Sequence, residues 1–183
     1  LVVGQSQGLD FFNDTTGEKE SRVDLGMHPL GLSQVDETLY AVGTEIKAYD
    51  LTSRKEQWTG TRNRGTDTKI ATDENRLYTG TEGGFLTAHS RSNGEKQWEV
   101  RPEHDIDTKP AASNGVVWIC DYTGKVSGYS GMTGERIYNG SDLVDRGRQA
   151  SIAALDSILV VSLLYDDNEQ DAEAFNMDVT YNK

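Results

Sequence analysis

Three aromatic residues, Trp58, Trp98 and Tyr138, stand 40 residues apart, and a common frame leads up to each. Ala48-Tyr49-Asp50-Leu51-Thr52-Ser53-Arg54-Lys55-Glu56-Gln57-Trp58 aligns with Ala88-His89-Ser90-Arg91-Ser92-Asn93-Gly94-Glu95-Lys96-Gln97-Trp98. Both align with Gly128-Tyr129-Ser130-Gly131-Met132-Thr133-Gly134-Glu135-Arg136-Ile137-Tyr138. An earlier copy runs from Phe11 to Ser21, and a fifth begins at Ala174-Phe175-Asn176 without reaching its aromatic. A fixed period of about 40 residues means that one supersecondary unit is stacked repeatedly, because no unit alone can bury its apolar face. The units fall at approximately 1–25, 26–63, 64–103, 104–143 and 144–183, within one domain or fragment of a domain spanning 1–183.

Each period carries a short strand upstream of the frame: Leu1 to Gly4, Leu39 to Gly43, Leu77 to Gly80, Val117 to Cys120 and Leu159 to Ser162. These runs are β-branched and aromatic and are bounded by Gly, Asp, Asn or Ser, as strands are. Gly83-Gly84 and Thr123-Gly124 supply the positive φ of a tight hairpin, and the Thr-Gly-Glu and Asn-Gly-Glu elements mark a second turn. A linking strand such as Lys69-Ile70-Ala71 or Pro110-Ala111-Ala112 completes the period. Four short strands in about 40 residues make one blade of a β-propeller. No i, i+3, i+4 apolar spacing is sustained, which excludes a helical repeat. The stretch from Ala150 to Leu164 reads as two buried strands with a turn at Asp156-Ser157. The fold class is therefore all-β: a propeller, or a segment of one, of four-stranded antiparallel blades, with about four to five units in the chain.

The frame Ala-x-Asp-x-x-Thr-Gly-x-x-x-Trp resembles the tryptophan-docking motif of pyrroloquinoline-quinone-like propellers, a family that includes quinoprotein alcohol dehydrogenases and outer-membrane assembly lipoproteins. Residues 48 to 58 fit best, with Arg54 where Gly is usual. The resemblance implies that Trp58, Trp98 and Tyr138 lie in the clefts between blades, near turns such as those of Gly94 and Gly134, as packing residues. Ser21 and the unfinished fifth frame depart from the pattern, so blade contacts at both ends should be weaker. Family propellers close with about six to eight blades. The chain is accordingly read as part of one; a small ring completed by both termini or by a second chain is the alternative.

The formal net charge is −12, from 30 acidic and 18 basic residues. Such a surface argues against a nucleic-acid partner, because phosphate binding needs a basic face. The acidity suits either ordinary solubilising charge or a high-salt medium such as that of a halophilic archaeon. No apolar run approaches the length needed for a transmembrane helix. Cys120 is the single cysteine; it reads as a small buried hydrophobe, and no cysteine-based metal cluster can form. The vicinal cysteine pair of the quinone-binding relatives is absent, so neither an enzyme nor a cofactor is expected. His28, His89 and His104 lack ligand spacing, and His89 stands where Tyr49 and Tyr129 stand in other frames, as a packed residue. The loop Asp166 to Asp171 is rich in oxygen ligands but lacks the glycine and spacing of a calcium loop.

One polar pattern also repeats. Asp67-Thr68-Lys69 and Asp107-Thr108-Lys109 precede successive inner strands, and Arg146 and Arg148 lie at about the same phase in the next unit. These charges would ring one mouth of a central channel, either as blade-to-blade ion pairs or as a ligand or partner site. The acceptor triplets Asn13-Asp14-Thr15 and Asn139-Gly140-Ser141, with the family's habit of working outside the cytoplasm, point to a cell-surface or secreted protein. The sequence thus reads as a non-catalytic scaffold for a protein partner or ligand. The alternatives are a quinone-dependent, carbohydrate- or alcohol-acting enzyme whose site lies mostly elsewhere, and a sensor ectodomain.

Overall fold

The computed structural model describes residues 1–61, 68–81, 83–106, 108–142, 149–155, 158–164 and 170–176, with side chains described outside 68–69, 141–142, 149–150, 163–164 and 170–176. The described residues form eighteen strands in five antiparallel sheets. The first sheet holds β1 (Val2–Gln5), β2 (Gly8–Phe12) and β3 (Lys19–Asp24). The second is β4 (Gly31–Val35), β5 (Thr38–Val42), β6 (Glu45–Asp50) and β7 (Glu56–Thr61). The third is β8 (Thr68–Thr72), β9 (Arg76–Thr81), β10 (Leu86–Ser90) and β11 (Lys96–Val100). The fourth is β12 (Ala111–Ser113), β13 (Val116–Cys120), β14 (Lys125–Ser130) and β15 (Arg136–Asp142). The fifth holds β16 (Gln149–Leu155), β17 (Ile158–Leu164) and β18 (Gln170–Asn176). Every sheet is a meander, so each strand pairs with its sequence neighbour, the pattern of propeller blades. Among the described residues no helix is long and apolar enough to cross a membrane.

The core lies between blades rather than within them. One cluster joins Leu9 and Phe11 of the first blade to Leu39, Ala41 and Tyr49 of the second. Another joins Tyr40, Ile46 and Ala48 to Ile70 and Leu77, and a third joins Tyr78, Leu86 and Ala88 to Val117, Ile119 and Tyr129. A fourth joins Val116, Trp118, Cys120 and Val126 to Leu159 and Val161. Alternate residues of β13 thus feed opposite neighbours, which explains why it reads Val-Val-Trp-Ile-Cys with no polar alternation. Cys120 is buried.

The last sheet corrects one reading. Leu159 and Val161 are buried, but Leu155, Ile158 and Val160 of the opposite face are 72%, 47% and 36% exposed. Among the described residues the two strands are therefore covered on one side only. Period-2 apolar residues on both faces made them look alike in the sequence.

A register shift interrupts the last strand pairing of each of the first four blades at one place in the frame. It falls between Phe11 and Phe12, Ala48 and Tyr49, Ala88 and His89, and Gly128 and Tyr129. A bulge bends and twists the strand that carries it. The turn that follows closes with an amide-to-carbonyl bond four residues back, from Gly17 to Asn13, Arg54 to Asp50, Gly94 to Ser90 and Gly134 to Ser130. Each of these four donors has a positive φ, at 71°, 58°, 74° and 74°. Glycine adopts that conformation freely, whereas a side chain there is strained.

Candidate interaction face

Antiparallel meanders place turns alternately at the two ends of a blade. The frame turns and the loops between first and second strands share one end, the turn face. The central hairpin tips and the connections from one blade to the next share the other, the loop face.

On the turn face the aromatic of one blade meets the turn of the next. Trp58 Nε1 donates to the Arg91 carbonyl at 3.0 Å, and Trp98 Nε1 donates to the Gly131 carbonyl at 2.8 Å. A Cβ at Gly94 would stand 2.5 Å from the Trp58 ring, and one at Gly134 would stand 2.8 Å from the Trp98 ring. Behind each indole lies a tyrosine of its own blade: Tyr40 with its ring centre 5.9 Å from that of Trp58, and Tyr78 at 5.8 Å from Trp98. Tyr138 packs edge-on against Trp118 at 5.5 Å.

The first joint is built differently. Ser21 stands in the aromatic's place and Arg54 in the glycine's. The Arg54 guanidinium donates to Ser21 Oγ and to Glu20, the latter at 2.6 Å, and lies 4.8 Å over the Phe11 ring. An arginine reaching back from the turn thus meets the groups that an indole would have met reaching forward.

The buried His89 belongs to the same region. Its Nδ1 lies 3.3 Å from the Gly94 carbonyl, and its Nε2 makes no hydrogen bond among the described residues. Burial lowers its pKa, so the ring is held neutral.

The loop face presents different chemistry. The connection between β11 and β12 is zipped to the β13–β14 hairpin. Ile106 bridges Asp121, the Tyr122 amide donates to the Asp105 carbonyl at 3.2 Å, and Thr108 Oγ1 exchanges bonds with the Cys120 backbone. Asp121 Oδ1 accepts from Thr123 N, Thr123 Oγ1 and Lys125 N, which fixes the hairpin tip. Glu103 accepts from Lys125 at 2.9 Å and from Arg136 at 3.0 Å. These two bonds, with Lys125 first, pull its pKa down to about 2, so the brace is fully ionised at neutral pH. On this braced platform Tyr122 is 59% exposed, with its ring 5.4 Å from His104 in an edge-on pair. Arg101 lies 5.4 Å over the Phe85 ring. Exposed tyrosine and arginine on rigid loops are the residues that dominate protein interfaces.

Of the charges read as a channel-mouth ring, Lys109 is exposed at the inner end of this same connection. Lys69 lies in β8, but its side chain is outside the described residues, as are Asp67, Asp107, Arg146 and Arg148 altogether. The acidic loop from Asp166 also falls outside them, apart from the Gln170 and Asp171 backbone at the start of β18. The sequence reading missed Tyr122, whose signal was an aromatic at a hairpin tip (Asp121-Tyr122-Thr123-Gly124), where no second sheet can cover it. The Arg54–Ser21 exchange was equally readable as two departures from one frame at mutually facing positions.

Meandering blades with inter-blade cores define a β-propeller segment. The family model described as outer membrane protein assembly factor BamB matches residues 42–167, and the chain belongs to that family of PQQ-like repeat propellers. Among solved structures it resembles the computationally designed Ika8 protein, with a TM-score of 0.75 at 14% identity over 93% of this chain and 54% of that one. BamB from Moraxella catarrhalis gives a TM-score of 0.66 at 12% identity, over 97% of this chain and 60% of that one. The designed Ika4 protein gives 0.65 at 12% identity, over 80% and 89%. The chain thus spans little more than half the length of Ika8 and BamB. No curated protein matches the chain.

Proposed function

We propose that this propeller segment is a non-catalytic scaffold, working outside the cytoplasm, whose loop face on the third and fourth blades binds a protein partner. The observation that carries the reading is the braced platform bearing exposed Tyr122 against half-buried His104, with Arg101 over Phe85 on the same face. Preordered aromatic and arginine anchors lose little side-chain entropy on binding, so their contact area converts well into affinity. Lys109 extends the same surface, and the reading of Asp67, Lys69, Asp107, Arg146 and Arg148 as partner-binding charges is kept as part of this proposal. The outer-membrane assembly role by which the matching family is described supports both the scaffold reading and an extracytoplasmic setting. The acidic charge is compatible with a high-salt medium.

The reading is tested by photocrosslinking from position 122 in cells of the source organism, followed by affinity measurement with the captured protein. Arg101→Ala and Tyr122→Phe should each weaken binding of that partner without moving the thermal midpoint. Dehydrogenase activity appearing on addition of pyrroloquinoline quinone and calcium to the native protein would overturn the reading.

A further inference from the structure

The joint between the second and third blades opens on the turn face into a cleft of about 480 Å³. That size lies within the span of small-molecule sites, about 300–1,000 Å³, but its lining is polar where such sites are usually apolar. Its base is Arg91, whose side chain is 13% exposed. The equivalent residues of the neighbouring frames are Leu51 and Gly131, so the long side chain is peculiar to this joint.

A guanidinium carries five N–H donors. Nε donates to Tyr40 Oη at 3.1 Å, and Nη1 donates to the carbonyls of Asp73 and Glu74 at 2.8 and 2.7 Å. Nη2 makes no hydrogen bond among the described residues; the Asp36 carboxylate, 87% exposed, stands 3.8 Å away. Around it the Asn75 carboxamide has no hydrogen-bond partner among the described residues, and Gln97 uses its Oε1 on Arg76 Nε at 2.8 Å, leaving its NH₂. Ser92 Oγ has only the Ser90 hydroxyl, at 2.9 Å, among the described residues.

The charges decide what fits. Asp36 and Glu74 offset the guanidinium, so a phosphate or carboxylate ligand meets repulsion beside Arg91, the only cation among the described lining residues. An apolar ligand would strip water from these donors and return nothing. Interleaved amide donors and hydroxyls instead match a ligand in which each group both donates and accepts.

We propose that this cleft binds a neutral saccharide unit. The site lies at the opposite end of the blades from the protein-binding face and does not depend on it. It carries its own reporter, because the Arg91 carbonyl accepts the Trp58 indole N–H.

The experiment is a titration of the native protein with glucose, galactose, N-acetylglucosamine and their trimers, with inorganic phosphate and glucuronate as anionic comparators. Binding is read by saturation-transfer NMR and tryptophan emission. At least one neutral sugar should bind with a Kd of about 1 mM. Asn75→Ala/Gln97→Ala, changing two exposed residues outside the indole's hydrogen bond, should weaken that sugar about tenfold or more at an unchanged thermal midpoint. Arg91→Leu should abolish binding, with its fold checked by the same midpoint. No bound sugar, binding unaffected by the Asn75/Gln97 pair, or tighter binding of phosphate would each overturn the proposal.

Discussion

The second and first joints of this chain solve one problem with opposite polarity. Between the second and third blades an indole reaches forward from Trp58 onto a glycine turn and donates to a carbonyl. Between the first and second blades a guanidinium reaches back from the turn at Arg54 onto a serine, a glutamate and a ring. The indole contributes mainly by burying apolar area and satisfying one buried donor. The arginine contributes a partly exposed ion pair and a cation–π contact, both of which water and salt weaken. What must be kept at a blade joint is therefore complementarity between the docking position and the turn position, and the residue types themselves can be exchanged.

The largest effect should come from removing an indole. Trp98→Ala should cost about 3 kcal/mol, since the cavity left behind adds to the lost burial. A urea titration that moves less for Trp98→Ala than for Arg54→Ala would break the comparison.

Next come the glycines, which separate strain from docking. Gly94→Ala places a Cβ 2.5 Å from the Trp58 ring in addition to straining a φ of 74°. Gly17→Ala strains a similar φ of 71° but meets nothing within 4 Å. The first should cost about 2–4 kcal/mol and the second about 1, the difference being the overpacking contribution. Equal losses would show that the turn backbone, not the docked ring, sets the cost.

The pH dependence that His89 adds is smaller. Burial depresses the His89 pKa below its ordinary 6.5. The unfolded chain therefore takes up this proton first, so the His89 contribution is complete above pH 6.5 and is lost as the pH falls through the window below it. His89→Tyr, the residue of the equivalent positions 49 and 129, should flatten that part of the stability profile. An unchanged profile would remove His89 from the account.

The smallest effect is ionic. At about 1 M salt, hydrogen exchange in β2 and β3 should speed up more than in β9 and β10, because at the first joint the charge pair stands in place of a docked indole. Uniform acceleration would contradict the contrast.

Much of this fold was legible because a repeat states its own structure several times. The frame, its glycine and its aromatic gave the strand order and about four to five units, since each copy corrects the reading of the others. The apolar run Val116 to Cys120 was legible as a strand with a buried Cys120, and the structure shows that it is covered on both faces. Less visible was which apolar faces stay exposed among the described residues: Ile158 and Val160 carry the same residue types as their covered counterparts, and exposure depends on what stacks beside them. The candidate site was poorly legible for a related reason. Tyr122 and Arg101 lie outside the periodic positions; Arg101 meets Phe85 just beyond the Leu86–Val100 pair of one blade, whereas Tyr122 meets His104 through the zipping of two loops that no local pattern encodes. The polar cleft was hidden likewise, since Arg91 occupies a frame position that elsewhere holds leucine or glycine.

The central claim is complementarity at the joints, and it is tested most directly by grafting one joint onto another. Ser21→Trp and Arg54→Gly, made singly and together, form a double-mutant cycle read by equilibrium unfolding. Each single change should destabilise the chain, one by crowding Arg54 and the other by leaving Ser21 and Glu20 without their partner. The double variant should recover the original stability or exceed it, with a coupling energy of about 2 kcal/mol. Additive losses, with the double variant the least stable of the set, would contradict the account.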